Sequence, residues 1–237
     1  MGWWTVGDVG AHLAHVVGLD LEAARGRGAE AALDAQGVTA PPHIRKLHYM
    51  TAALLDRDPV RDPAEQAGRI EAGIAALLDE CEEGDRLVPW LLGTTISRAA
   101  VCSHQVCEML VHGWDIARAA ELEWTIPSDL ACVAIEGFIL ALIGELGTTD
   151  PHNELLASCE IRLRGGGRFV LALTQAGPAV FAPRDRVDLR ISADPAAMLL
   201  VMLGRGSPLS RVLSGRIVAW GPRPIRGMRV FDTIKAP

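Results

Sequence analysis

The chain has 237 residues, 49% of them hydrophobic, which is enough for one large domain or two small ones, each with its own core. The formal net charge is −6 and no Lys/Arg cluster stands out, so a nucleic-acid partner is not expected. The N-terminus lacks the features of a signal peptide, and the most apolar stretch, residues 130–146, is short and interrupted by Glu136 and Gly137. We therefore expect a soluble protein without membrane association.

The first 147 residues have the patterns of helices. Thr5 followed by Asp8 is typical of a capping box, so the first helix is predicted to begin here. Further helices are predicted over residues 20–37, 43–57, 62–84, 95–121 and 127–146, with residues 85–93 as a loop. This half of the chain is predicted to be a helical domain over residues 1–148.

The pattern changes after residue 154. Strands are predicted over residues 159–164 and 168–174 around a glycine turn, then over 187–193 and 214–221. A helix over 194–205 has Asp194 at its cap and Pro195 in its first turn. Residues 152–237 are therefore predicted to form a small α+β domain, so the fold class is α plus α+β.

The helix predicted over 95–121 carries a polar stripe. Its members fall in one arc of roughly 100° on a helical wheel; they are His104, Gln105, Glu108, His112 and Asp115. One interpretation is an ordinary solvent-facing side. The other is a metal site, because the stripe lacks Lys and Arg, and Glu108 and His112 at i and i+4 form a natural two-point ligand pair.

The first helix offers a third ligand. His12 falls beside Val9 and Val16 at the edge of the apolar face, whereas His15 lies roughly 90° further round, toward solvent. His12 is either a core-edge histidine bonded to a backbone carbonyl or a ligand. With Glu108 and His112 it would complete the three-ligand set of catalytic zinc, if the two helices are neighbours. The remaining histidines are expected at the surface; they are His15, His43, His48 and His152.

The cysteines indicate no disulfide framework. There are five, an odd number without a CxxC pair, so a reducing cytoplasm is the expected compartment. Cys102 and Cys107 lie off the polar arc and are interpreted as small core residues.

Two segments carry a family resemblance. "GWWTVGDVGAHLAH" and "EMLVHGWDIARAAELEW" resemble the signature segments of the mycothiol-dependent maleylpyruvate isomerase family, a branch of the DinB-like metal-binding helical bundles. "VPWLLGTTISRAA" is also similar to that family. The stretches "ADPAAMLLVMLGR" and "SGRIVAWG" resemble the sterol-carrier-like domain often attached to such bundles.

The resemblance implies a set of site residues. A divalent metal, usually zinc, would be held by His12, Glu108 and His112. Asp115 would orient a ligand such as His112. Trp4 and Trp114 match family tryptophans that pack beside the site.

The resemblance also implies a function. The cosubstrate would be mycothiol, the low-molecular-weight thiol of actinobacteria, held as a thiolate that attacks a small electrophilic and anionic substrate. The activity would be that of an isomerase or transferase. Candidate arginines for the substrate anion are Arg205, Arg211, Arg216 and Arg223. The alternatives are a non-catalytic small-molecule-binding protein and a metal-sensing regulatory protein that retains the bundle.

Family members carry a helix before the "GW-T-V" segment, which here begins at residue 2. The resemblance therefore implies a bundle without its first helix and with an uncovered apolar face. Either the chain is truncated or its start is misplaced, or residues 20–37 or a partner chain, as in a homodimer, would cover that face.

Overall fold

The computed structural model describes residues 4–39, 47–82, 84–146 and 155–234. It divides into two compact units, the first ending at Thr125 and the second beginning at Ile126. The sequence predicted this boundary near residue 150. The units divide earlier because the helix after residue 127 packs within the second unit, against its sheet and a neighbouring helix. The predictions for His43 and His152 lie outside the described residues.

The first unit is helical. Its helices are α1 (Val6–Ala24), α2 (Ala29–Ala35), α3 (Leu47–Arg57), α4 (Pro63–Glu82) and α5 (Arg98–Ala119). The segment predicted as a loop holds strand β1 (Leu87–Pro89) and a 3₁₀ turn at Leu91–Gly93, and β2 (Thr95–Ser97), which pairs antiparallel with β1, occupies the predicted start of the long helix. The predicted start of the long helix at residue 95 was therefore too early, since Ser97 caps α5 through the Ala100 amide.

The start of α1 confirms the predicted capping box. The Thr5 hydroxyl accepts from the Asp8 amide, and the Asp8 carboxylate accepts from the Thr5 amide. The single helix predicted over 20–37 is wrong, because α1 runs through residue 24 before the chain turns. Gly26 and Gly28, both at φ +80°, adopt the left-handed backbone that ends one helix before α2 begins.

Helix α1 is the centre of the first unit, in contact with α2, α3, α4 and α5. Its contact with α4 is close: a Cβ placed on Gly73 would lie 2.2 Å from Cγ1 of Val17, a buried residue. Small residues at such crossings let two helices approach each other. Helices α1 and α5 are neighbours, as the hypothesis of a metal site formed by His12, Glu108 and His112 requires.

The second unit begins with a helix and continues as a sheet. The helix comprises α6 (Ser128–Cys132), a π-helical segment (Val133–Ile139) and α7 (Leu140–Leu146). The strands are β3 (Leu155–Leu163), β4 (Arg168–Thr174), β5 (Gly177–Phe181), β6 (Leu189–Ala193) and β7 (Ile217–Trp220). They lie in the order β5-β4-β3-β6-β7, with β3 and β6 parallel and all other neighbours antiparallel.

Three further helices complete the second unit: α8 (Pro195–Met202), α9 (Pro208–Leu213) and α10 (Pro224–Ile234). The strands predicted on both sides of the glycine turn and the Asp194-capped helix are confirmed. Strand β5 and helices α9 and α10 were not predicted. The chain is thus a helical N-terminal region followed by a small sheet-containing region. In the described part of the chain, no helix is both long and apolar enough to cross a membrane.

Candidate metal centre

The three predicted ligands converge between α1 and α5. His12 Nε2 lies 3.1 Å from Glu108 Oε2, and His112 Nε2 lies 3.3 Å from the same oxygen. One donor atom from each residue lies within 4.8 Å of the others, so the group could hold a metal ion. Because α1 supplies one ligand and α5 supplies two, helix packing alone assembles the set.

Most of the polar stripe of α5 is buried and the rest, Glu108 and Asp115, is only partly exposed, so its interpretation as a solvent-facing side is wrong. His104, Gln105 and His112 are 8%, 5% and 3% exposed. The stripe faces inward because α1 packs alongside α5. Buried polar groups of this kind require partners, and the partners of Glu108 are histidines.

Asp115 lies beside His112, the ligand that it was predicted to orient. Its Oδ2 is 3.1 Å from His112 Nδ1, one helical turn along α5. A carboxylate beside this nitrogen favours a proton on Nδ1, so that Nε2, the ring nitrogen that faces Glu108, could offer its lone pair to a metal ion. The predicted orienting role therefore fits the geometry.

A second buried carboxylate extends the cluster, and it was missed from the sequence. Asp20 of α1 is 1% exposed, and its Oδ2 lies 2.8 Å from His104 Nδ1. The indole Nε1–H of Trp90 donates to Asp20 Oδ1, and the Trp90 ring meets the His104 ring edge-on. The other ring nitrogen of His104 is 3.4 Å from Glu108 Oε1. The only sequence signal was His104 in the polar arc.

Charge within this cluster is set by burial and by its hydrogen bonds. Burial alone would raise the pKa of Glu108, but hydrogen bonds from the three histidines hold it well below its ordinary value. Burial lowers the pKa of His12. Burial would also lower the pKa of His104, but Asp20 raises it to about 10. The cluster therefore presents an ionised Glu108 to a His12 that favours its neutral form.

The two tryptophans differ in their placement. The Trp4 ring centroid lies 5.4 Å from that of His12, and Trp4 lines a cleft of about 210 Å³ together with Asp115. Trp114 is partly exposed and lies under the guanidinium of Arg118, 5.2 Å from the ring centroid. Of these two tryptophans, Trp4 is therefore the one that lies beside His12, a predicted metal ligand.

The expectation that His15 lies at the surface was wrong. Its side chain is 12% exposed, and Nε2 is 3.1 Å from Asp58 Oδ2, the oxygen that also accepts from Arg69. Burial lowers the pKa of His15. Helix α1 is surrounded by other helices, so a wheel drawn from its own sequence misplaces the solvent side.

The four arginines proposed for an anionic substrate all belong to the second unit. Of these, Arg223 lines a polar cleft of about 390 Å³, where its Nε is 3.0 Å from Asp188 Oδ1. Arg205 donates to the Leu203 carbonyl, and Arg216 is exposed. Arg211 lies in α9 beside Gly206.

Two neighbouring helices of the first unit, α1 and α5, bring together two histidines and a glutamate. This arrangement is that of a candidate metal-binding helical protein. Residues 2–117 match the family model described as the mycothiol maleylpyruvate isomerase N-terminal domain. The match supports that family for residues 2–117, which are just under half of the chain. A comparison with curated proteins gave no match.

Proposed function

We propose that the protein is a metal-dependent and mycothiol-dependent isomerase or transferase of the maleylpyruvate isomerase type. The observation that carries the proposal is the His12–Glu108–His112 group, of which His112 is buried and the other two residues are partly buried, inside the region that matches the family. Maleylpyruvate, named in the family description, is an electrophilic alkene with two carboxylates. The substrate class we propose is therefore a small anionic electrophile, with the double-bond isomerisation running by thiol addition, rotation and elimination.

The finer fold assignments belong to the same proposal. We infer a DinB-like arrangement for the first unit and a sterol-carrier-like arrangement for the second. The helical packing around α1 and the five-stranded sheet with flanking helices support them. The free cysteines support a reducing, cytoplasmic setting.

The donor set fits a divalent metal, and zinc is the ion we propose. Two imidazoles and one carboxylate match the three protein ligands of catalytic zinc sites, with Asp115 behind His112. When bound, the metal would lower the pKa of the cosubstrate thiol and favour its thiolate near neutral pH.

The chain's own residues supply orientation and charge. Glu108 stays ionised because three histidines surround its carboxylate. His104 contacts Glu108 Oε1 and leaves Oε2 to the two ligand histidines. Asp20 contacts the opposite ring nitrogen of His104, and the Trp90 indole donates a hydrogen bond to Asp20. This buried network fixes the carboxylate before any ligand arrives.

Elemental analysis of the purified protein is the first test. We expect near one equivalent of zinc per chain, with loss of that zinc in Glu108→Ala and His112→Ala and retention in Glu71→Ala, an exposed position on α4. Unchanged metal in both ligand variants would contradict the proposal. Conversion of maleylpyruvate with mycothiol, compared with no thiol, then separates an enzyme from a metal-sensing protein.

One observation favours the alternative of small-molecule binding. The second unit contains an apolar cavity of about 400 Å³, bounded by the sheet and by helices α8, α9 and α10. Its walls include Met198, Met202, Ile217 and Met228. Extraction of the purified protein followed by mass spectrometry tests this alternative, which predicts a stoichiometric apolar ligand and no thiol-dependent turnover.

A further inference from the structure

Two thiols face each other at the junction of α4 and α5. Cys81 lies in the last turn of α4 and Cys102 near the start of α5, and their Sγ atoms are 3.0 Å apart. Both side chains are only partly buried. Since a disulfide has an S–S bond of about 2.05 Å, a closure of roughly 1 Å would join the two sulfurs.

A buried arginine holds the two helices in this register. Arg98 of α5 is 1% exposed, and its Nη2 donates to Glu80 Oε1, the residue next to Cys81. Its Nε donates to the Ala24 carbonyl of α1. The first turn of α5 is thus tied to the last turn of α4 independently of the cysteines, so their alignment is built into the fold.

We propose that Cys81 and Cys102 are a reversible dithiol–disulfide site that exchanges with low-molecular-weight disulfides. The Cys81 thiolate attacks one sulfur of the small disulfide, forming a mixed disulfide and releasing one small thiolate. The Cys102 thiolate then attacks the Cys81 sulfur, forming the intramolecular bond and releasing the second small thiolate. The protein loses two thiol protons and two electrons, and the small disulfide gains them as two thiols.

The surroundings of the two thiols favour this order of attack. Burial raises the pKa of Cys102 to about 12, and the hydrogen bond and charge of Cys81 add to the shift. Cys102 is therefore a poor first nucleophile. Because the two sulfur atoms lie 3.0 Å apart, a mixed disulfide on Cys81 would be within reach of the Cys102 sulfur.

The test uses the full-length protein and glutathione disulfide as the probe. We expect intact-mass analysis after alkylation to show two fewer alkylated thiols. A proteolytic digest should then show the Cys81 and Cys102 peptides linked, and dithiothreitol should reverse the change. In Cys102→Ser, a glutathione adduct should remain on Cys81. The matched control Cys132→Ser, in the second unit, should still form the link.

A second readout is thermal unfolding of the oxidised protein. Closing the chain over residues 82–101 restricts the unfolded state, so the melting temperature should rise by about 5 °C or more in wild type and Cys132→Ser, but not in Cys81→Ser. Three outcomes would overturn the proposal: stable glutathione adducts without a link, no reaction at all, or a link that survives in Cys81→Ser.

Discussion

Each unit of the molecule contains a carboxylate that is largely shielded from solvent, with side-chain exposures of 20% for Glu108 and 5% for Asp188, and the two carboxylates differ in their partners. Glu108 in the first unit is surrounded by the imidazoles of His12, His104 and His112. Asp188 in the second unit accepts from the Ser158 amide and hydroxyl and lies beside the guanidinium groups of Arg223 and Arg226.

The difference separates a candidate site from a structural contact. An imidazole can offer a lone pair, so the atoms around Glu108 are able to share an ion with it. The Ser158 amide and hydroxyl donate to Asp188, and the guanidinium groups of Arg223 and Arg226 form ion pairs with it. The partners of a buried carboxylate, rather than its burial, indicate whether a ligand is expected.

Removing the charge of Glu108 should have the largest effect. In Glu108→Gln we expect zinc to fall from near one equivalent per chain to below roughly a tenth, because a neutral amide oxygen is a poor zinc ligand. Elemental analysis after gel filtration measures it, with Glu71→Gln as the control. Full zinc occupancy in Glu108→Gln would show that Glu108, like Asp188, is not a metal ligand.

Asp115→Asn tests the support behind His112. Without a carboxylate at Nδ1, the imidazole loses its fixed tautomer, and zinc affinity should fall about 10–100-fold. Competition with a chromophoric chelator gives the affinity directly. Asp79→Asn, an exposed change on α4, should leave it unaltered. Equal affinity in the two variants would show that Asp115 does not orient the ligand.

Asp188→Asn should show the opposite profile. We expect near-full zinc content but a loss of roughly 2 kcal/mol in the free energy of unfolding, since the Ser158 donors and the arginines lose an ionised acceptor. Arg223 contributes little to this loss because its side chain is 63% exposed and its ion pair is screened by solvent. Urea unfolding compares the variant with Asp185→Asn, an exposed neighbour. Loss of zinc without destabilisation in Asp188→Asn would contradict the structural role assigned to Asp188.

The smallest expected effect concerns His15, whose carboxylate partner Asp58 also binds a guanidinium. Burial gives His15 a lower pKa in the folded protein than in the unfolded chain. The unfolded chain therefore gains its proton first, and stability falls as the pH drops below about 6.5. His15→Gln should weaken that fall in unfolding experiments at pH 7 and pH 5.5, whereas His48→Gln should not. An unchanged pH dependence in His15→Gln would contradict the burial effect.

Part of the candidate site could be predicted from local periodicity and from the family resemblance. A helix places Glu108 and His112 one above the other, and the capping box fixes where α1 begins relative to His12. These features depend on residues a few positions apart. The resemblance proposed the same ligands, and the structure places their donor atoms together.

The remaining parts depend on contacts between distant segments. Asp20 and Trp90 meet His104 only because α1 and the hairpin loop pack against α5. His15 is buried by Asp58 and its neighbours. No pattern within one segment reports which neighbour it will face, so these partners were not predicted.

The sequence by itself determined the helical and sheet-containing halves, the beginning of α1 and the ligand spacing on α5, because each follows from hydrogen bonds and periodicity within one segment. Only the tertiary structure decided that most of the polar stripe of α5 is buried and that three histidines surround Glu108. It also brought Cys81 to Cys102. The physical reason is that burial and charge pairing arise where separate helices pack, and close packing fixes which side chains meet.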